Sequence, residues 1–244
     1  MTGSSRGRQS AGIKIPEVSG AQMAEVDRRA LEAGLTLDRM MENAGRHLAD
    51  RVGARGPGKV AVVVGGGHNG GGGLAAARHL RNRGMDVAVV SAGGSVAEET
   101  ARQMRLLVDD GVEWRNDMGV VDVVVDALVG YSLVGPLRGR ARDLAREMSA
   151  GSGFVISLDL PSGTASDLRQ PTGVRVRADE TVTLALPKRG LRARPDDVGQ
   201  LWLADIGIPR VVYERAGLDV PLLFASGPLV SLQADESGWR GPHE

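Results

Sequence analysis

The sequence predicts an α/β fold: one mostly parallel, doubly wound sheet with helices on both faces and a helical extension at the N-terminus. Three observations carry this. Short apolar runs of strand length recur at 60–64, 86–91, 120–129, 154–158, 181–186 and 201–204. Amphipathic runs with helical spacing separate most of them. The strand runs are apolar almost throughout rather than alternating, so both of their faces need cover, which is the condition of a parallel sheet layered between helices.

In chain order, residues 1–19 are rich in Ser, Gly and Arg and predict a flexible tail. Met23, Val26, Ala30 and Leu31 then share one face, predicting a helix over 20–33. After Gly34, the spacing of Met40, Met41, Ala44, Leu48 and Val52 predicts a second helix over 36–53. These methionines read as core filler or as a subunit contact. The turn RGPG at 55–58 leads into the first strand, 60–64. Residues 65–73, GGGHNGGGG, contain seven glycines and predict a loop, followed by an alanine-rich helix over 74–80. Strand, glycine loop and helix together can cradle a phosphate, because the backbone approaches closely and the helix's first N–H groups are free. The run is neither a strict G-x-G-x-x-G nor a P-loop, which would add Lys-Ser/Thr. Further helices are expected over 96–110, 137–148 and 209–216. Residues 20–230 read as one domain without linker or repeat, and 231–244 as a second flexible tail.

Composition narrows the function. Lys plus Arg and Asp plus Glu both number 30, so a zero net charge argues against nucleic acid as a partner. With no cysteine, disulfides, Cys-ligated zinc and thiol catalysis are excluded. The four histidines lack ligand spacing. No apolar run approaches the ~20 residues that span a bilayer, and the first residues have no signal-peptide h-region. The expectation is a cytoplasmic protein without a membrane partner.

Ligands of doubly wound sheets bind at the carboxyl ends of the strands. There the sequence places the glycine run, Asp126 and Asp159. An Asp closing a buried strand is desolvated and needs a partner, either a ligand or a turn it caps. Oxygen donors at Asn69, Asp126 and Ser162 suit a hard cation of low charge, potassium rather than calcium. Asp159 is the acid–base candidate, since a buried carboxyl group can exchange a proton near neutrality. Lys188 either reaches the same rim or sits on a surface turn. His68 has no neighbouring carboxylate in sequence to orient it and reads as a polar ligand contact. Arg138 can meet an anion.

Six motifs in register resemble the NAD(P)H-hydrate epimerases, the YjeF N-terminal-domain family, over roughly residues 19–220. They are RMMENAG at 39–45, the glycine run at 65–73, 121–138 ending GPLR, DLPSG at 159–163, 178–188 ending in Pro-Lys, and ADIGIP at 204–209. The resemblance implies a Rossmann-like three-layer αβα sandwich and a homodimer. It implies epimerisation of the R and S forms of NADHX and NADPHX, the hydrated nicotinamide cofactors, beside a partner NAD(P)H-hydrate dehydratase. It assigns potassium to Asn69, Asp126 and Ser162; for that chemistry Asp159, with Lys188, is the catalytic candidate read from the strand ends. The hydrate would meet His68, Asn69, Gly70, Gly71 and Gly72, then Gly130, Tyr131, Ser132, Leu133, Val134, Gly135 and Pro136, and Asp159. Two positions depart from the family pattern: His68 replaces an Asn and Gly72 an Asp. The second loop, at Gly130, also lacks a glycine. Two alternatives stay open: a non-catalytic nucleotide-binding scaffold, and an enzyme acting on another nucleotide such as an ADP-ribose derivative.

Overall fold

In the computed structural model, which describes residues 12–56 and 58–242, the apolar runs become the middle of a ten-stranded sheet. The chain enters through β1 (Lys14–Ile15), α1 (Gly20–Glu32) and α2 (Leu37–Gly53). Ser19 and Gln22 form a capping box that starts α1, and the Thr36 hydroxyl caps α2. Then follow β2 (Lys59–Val64), α3 (His68–Asn82), β3 (Asp86–Ser91), α4 (Glu98–Asp109), β4 (Glu113–Arg115), β5 (Val123–Ala127), α5 (Gly139–Ala150) and β6 (Phe154–Leu158). The last part runs β7 (Glu180–Leu184), α6 (Arg189–Ala193), α7 (Pro195–Val198), β8 (Gln200–Ala204), α8 (Arg210–Arg215), β9 (Leu229–Asp235) and β10 (Gly238–Arg240).

The strand order is β1-β10-β9-β8-β7-β6-β5-β2-β3-β4. From β8 to β4 every pair is parallel. β9, β10 and β1 extend one side antiparallel. The chain winds one way from β2 through β4 and the other way from β5 through β8, so the direction switches between β2 and β5. In β2, Val60 to Val64 are each at most 1% exposed, as strands covered on both faces must be. Leu48, Leu74, Leu80 and Leu107 cover one face of the sheet, and Leu144 and Met148 of α5 the other. Each such side chain contributes about 1.5–3 kcal/mol on burial.

Three expectations change. Helix α3 begins at His68, inside the glycine run, not after it. The glycines serve packing: a Cβ on Gly70 would lie 1.9 Å from the Gly65 carbonyl oxygen. Close seating of the helix on the sheet thus overrides the poor helix propensity of glycine, about 1 kcal/mol per residue. The third strand is shorter than expected, beginning only at Val123, because Val120 before it is 92% exposed. The expected tails also contract. From 229 the chain forms β9 and β10, burying Val230, Leu232 and Trp239, and β10 pairs with β1. That pairing brings strands more than 220 residues apart in sequence side by side and leaves no local signal. Residues 1–11 and 243–244 of those tails, and Pro57 of the turn, lie outside the described residues.

Candidate active site

A cavity of about 490 Å³ opens over the carboxyl ends of β2, β5 and β6, at the point where the winding direction switches. Glycines 65–67 and the start of α3 form one wall. Gly67 caps α3 without a side-chain hydrogen bond, so the first-turn N–H groups remain for a ligand. Arg138 and Arg140 line the same cavity. Met23, Met40 and Met41 of α1 and α2 line it too, so these methionines are more than core filler.

Asp159 follows β6 with φ 69°, a left-handed backbone in a residue with a Cβ. Such strain costs on the order of 1–3 kcal/mol and persists where surrounding structure imposes it. Here the main-chain N–H of Asp159 donates to Val182 at 2.7 Å. Its Oδ2 accepts the Tyr131 main-chain N–H at 2.9 Å, and its Oδ1 accepts the Lys188 ammonium. Lys188 is 1% exposed and also donates to the Leu184 carbonyl at 2.7 Å. Between the two readings of Lys188, the structure selects the rim. Gly130 lets the second loop close over this pair: a Cβ there would lie 3.0 Å from Asp159 Oδ2 and 3.2 Å from Asn69 Oδ1.

Asp126 is fully buried behind the wall. Its Oδ1 accepts the Ser162 hydroxyl at 2.6 Å and the Leu128 N–H at 3.3 Å. Its Oδ2 accepts the Ser157 hydroxyl and the Ser162 N–H, both at 2.8 Å. Burial pushes the Asp126 carboxyl pKa up, against the pull of these donors. Asn69 donates from Nδ2 to the Leu158 carbonyl at 3.3 Å, and no described residue donates to its Oδ1. Among the described residues no three His, Asp or Glu side chains gather as metal ligands. Asn69, Asp126 and Ser162 offer only oxygen donors with one carboxylate between them, and both Asp126 oxygens already accept protein donors.

Of the residues singled out by sequence, His68, Asn69, Gly72, Gly130, Tyr131, Ser132, Asp159 and Lys188 line the cavity. Gly70 and Gly71 are buried in α3, outside the wall. Leu133, Val134, Gly135 and Pro136 are not part of the wall either, and Val134 is 94% exposed. His68 does have a carboxylate: Glu99 of α4 stands 3.5 Å from its Nε2, supplied by the fold rather than by adjacency. A Cβ on Gly72 would meet the Leu158 side chain at 2.9 Å.

Sequence reasoning missed Asp27. It lines the cavity from α1 and accepts the Tyr131 hydroxyl at 2.5 Å. Its one sequence signal is position: it lies four residues after buried Met23 and three before buried Ala30, a carboxylate beside an apolar stripe. The motif at 39–45 is mainly structural. Glu42 pairs with Arg78 and with His79 at 2.8 Å, and Asn43 donates to the Ile206 carbonyl at 3.1 Å, tying this motif to the one at 204–209.

The model of the YjeF-related protein N-terminus family matches residues 37–190. Over 237 residues the chain is 43% identical to the NAD(P)H-hydrate epimerase of Dehalogenimonas lykanthroporepellens, covering 92% of this chain and 96% of that one. It is 38% identical over 226 residues to the bifunctional NAD(P)H-hydrate repair enzyme Nnr of Thermofilum pendens, covering 85% of this chain and 43% of that protein. The chain thus spans less than half of such bifunctional relatives. The crystal structure of yeast ynu0 superimposes with a TM-score of 0.78 at 24% identity, over 89% of this chain and 100% of that one, and shares the fold.

Proposed function

The chain belongs to the YjeF-related protein N-terminus family, and on that premise we propose that it is an isomerase interconverting the R and S forms of hydrated NADH and NADPH. One observation carries the reading: a single cavity has in its wall both the uncapped start of α3 and the Asp159–Lys188 pair. A dinucleotide needs the first for its pyrophosphate. The chemistry at its altered ring needs the second. The cavity's volume lies within the roughly 300–1,000 Å³ of small-molecule sites.

C6 of the hydrate bears a hydroxyl and bonds to the ring nitrogen. Inversion breaks one of those two bonds and remakes it on the opposite face, moving a proton out and a proton back. Asp159 takes the hydroxyl proton, and Lys188 with the Tyr131 N–H fixes both of its oxygens. A positioned acid–base group contributes about 10²–10⁴-fold. Asn69, Asp126 and Ser162 would hold potassium. When bound, that ion would supply positive charge beside the buried Asp126 carboxylate.

We also assign the protein to the cytoplasm, as a homodimer acting beside a dehydratase that consumes the S form. The bifunctional names of relatives support that partnership. No helix among the described residues is long and apolar enough to cross a membrane.

The test is direct. Purified protein in potassium buffer is mixed with R-NADHX, and formation of the S form is followed chromatographically. Conversion well above the spontaneous rate is the expected result. A rate equal to the spontaneous one, with the hydrate still bound, would replace this reading by that of a nucleotide-binding scaffold. Tighter binding of ADP-ribose than of either hydrate, again without conversion, would point to a different nucleotide.

A further inference from the structure

The cavity contains a second carboxylate that this acid–base assignment leaves unused. Asp27 is half-buried on α1 and lines the cavity. Its Oδ2 accepts the Tyr131 hydroxyl at 2.5 Å, and no described residue donates to its Oδ1. The same Tyr131 donates its main-chain N–H to Asp159 Oδ2 at 2.9 Å. One residue therefore fixes both carboxyl groups in one cavity, with Met23 and Met40 making the surrounding wall apolar.

We propose that Asp27 is the second proton-transfer group of this site, giving a proton to the ring nitrogen while Asp159 takes one from the C6 hydroxyl. The inference rests on the epimerase reading. The step balances. Asp159 removes the hydroxyl proton, the C–O bond becomes an aldehyde C=O, and the C6–N1 bond breaks. Its electron pair stays on N1, which receives the Asp27 proton. Rotation about C5–C6 turns the other aldehyde face to N1. As N1 attacks, Asp27 recovers its proton, and the new hydroxyl takes back the proton held on Asp159. No oxidant, reductant or co-reactant is consumed.

The two carboxyl groups differ in the way these roles require. Asp159 receives an ammonium and an amide N–H, both suited to an acceptor. Among the described residues no cationic side chain is in contact with Asp27. Burial raises its pKa, while the Tyr131 hydroxyl and the more distant Lys188 and His68 lower it and Asp159 raises it. Tyr213 also faces it. Burial and the nearby Asp27 push the Tyr131 phenol well above its usual value, so its hydroxyl stays a donor to Oδ2 and leaves Oδ1 to carry the acid proton. Burial raises the Asp27 carboxyl pKa while Asp159 holds a cationic partner, a contrast between two carboxyl groups that divides acid from base.

The experiment measures kcat for R-to-S conversion across pH, first for the wild type, whose failure to accelerate would sink the epimerase reading itself. Given an active wild type, Asp27→Asn should lower kcat about 100-fold or more and abolish the alkaline limb of the profile, with the thermal midpoint unchanged. Tyr131→Phe removes a bond that lowers the Asp27 pKa. It should move the alkaline limb up by roughly half to one pH unit, the size of one hydrogen bond. An Asp27→Asn enzyme within about threefold of wild type, far short of a lost general acid, would overturn the proposal. So would a slowed Asp27→Asn enzyme keeping the wild-type alkaline limb, or a Tyr131→Phe profile superimposing on the wild type.

Discussion

At the amino end of β7, Glu180 accepts two hydrogen bonds from Arg51 of α2, at 2.9 and 3.0 Å. Just past the carboxyl end of the same strand, Lys188 reaches Asp159. Both carboxylates are almost inaccessible, while Arg51 is partly and Lys188 fully buried. The surroundings differ. The Arg51 guanidinium also stacks on Trp202, 3.9 Å from the ring centroid, and neither partner lines the large cavity at the switch point. Asp159 has a strained backbone, and both members of its pair form cavity wall. Burial of an ion pair is thus no sign of function, and weak evidence for stability. Strain, an adjoining cavity and the carboxyl end of a parallel strand set the pair we propose as catalytic apart from the Arg51–Glu180 pair.

The comparison can be broken in order of expected effect. Asp159→Asn should lower kcat by about 10²–10⁴-fold while Glu180→Gln leaves it within a factor of a few. Equal losses in a steady-state assay would erase the distinction. For stability the two ends should also differ. Lys188→Met strands a fully buried carboxylate and should cost roughly 3–5 kcal/mol in urea unfolding. Glu180→Gln should sit at or below about 3 kcal/mol, because Arg51 keeps its aromatic neighbour and part of its exposure to water.

Behind the working end, Ser157 donates to Asp126. On the proposed potassium site, Ser157→Ala should raise the potassium concentration for half-maximal activity roughly tenfold, as loss of a ligand's own partner does. An unchanged potassium titration would detach Asp126 from the ion.

The smallest effect belongs to His47 on α2, whose pKa burial lowers. A neutral histidine buried this way takes up its proton more readily when unfolded. Stability should therefore be full above the ordinary value of about 6.5 and fall as pH drops from there through the folded value. His47→Gln should flatten that slope in pH-dependent thermal melts without changing kcat.

Much of the fold was legible because its signals are local. The runs at 86–91 and 154–158 were found to the residue, since strands covered on both faces must be apolar throughout. The start of α3 was misplaced because glycine's local preference speaks against a helix, whereas its contact with Gly65 depends on how α3 seats on the sheet. Asp126, Asp159 and Ser162 were legible as polar residues ending apolar strands. Asp27 was not, because its partner Tyr131 is 104 residues away.

By itself the sequence determined the central parallel strands and most of the long helices, that glycine meets the rim, and which carboxylates close the buried strands. Those are properties of short stretches, set by side-chain periodicity and backbone sterics. Only the tertiary structure decided that Lys188 is buried against Asp159, that Tyr131 holds Asp27 and Asp159 together, and that β1 pairs with β10 in the sheet. Such contacts depend on strand order and on the close seating of helices, and no local pattern encodes either.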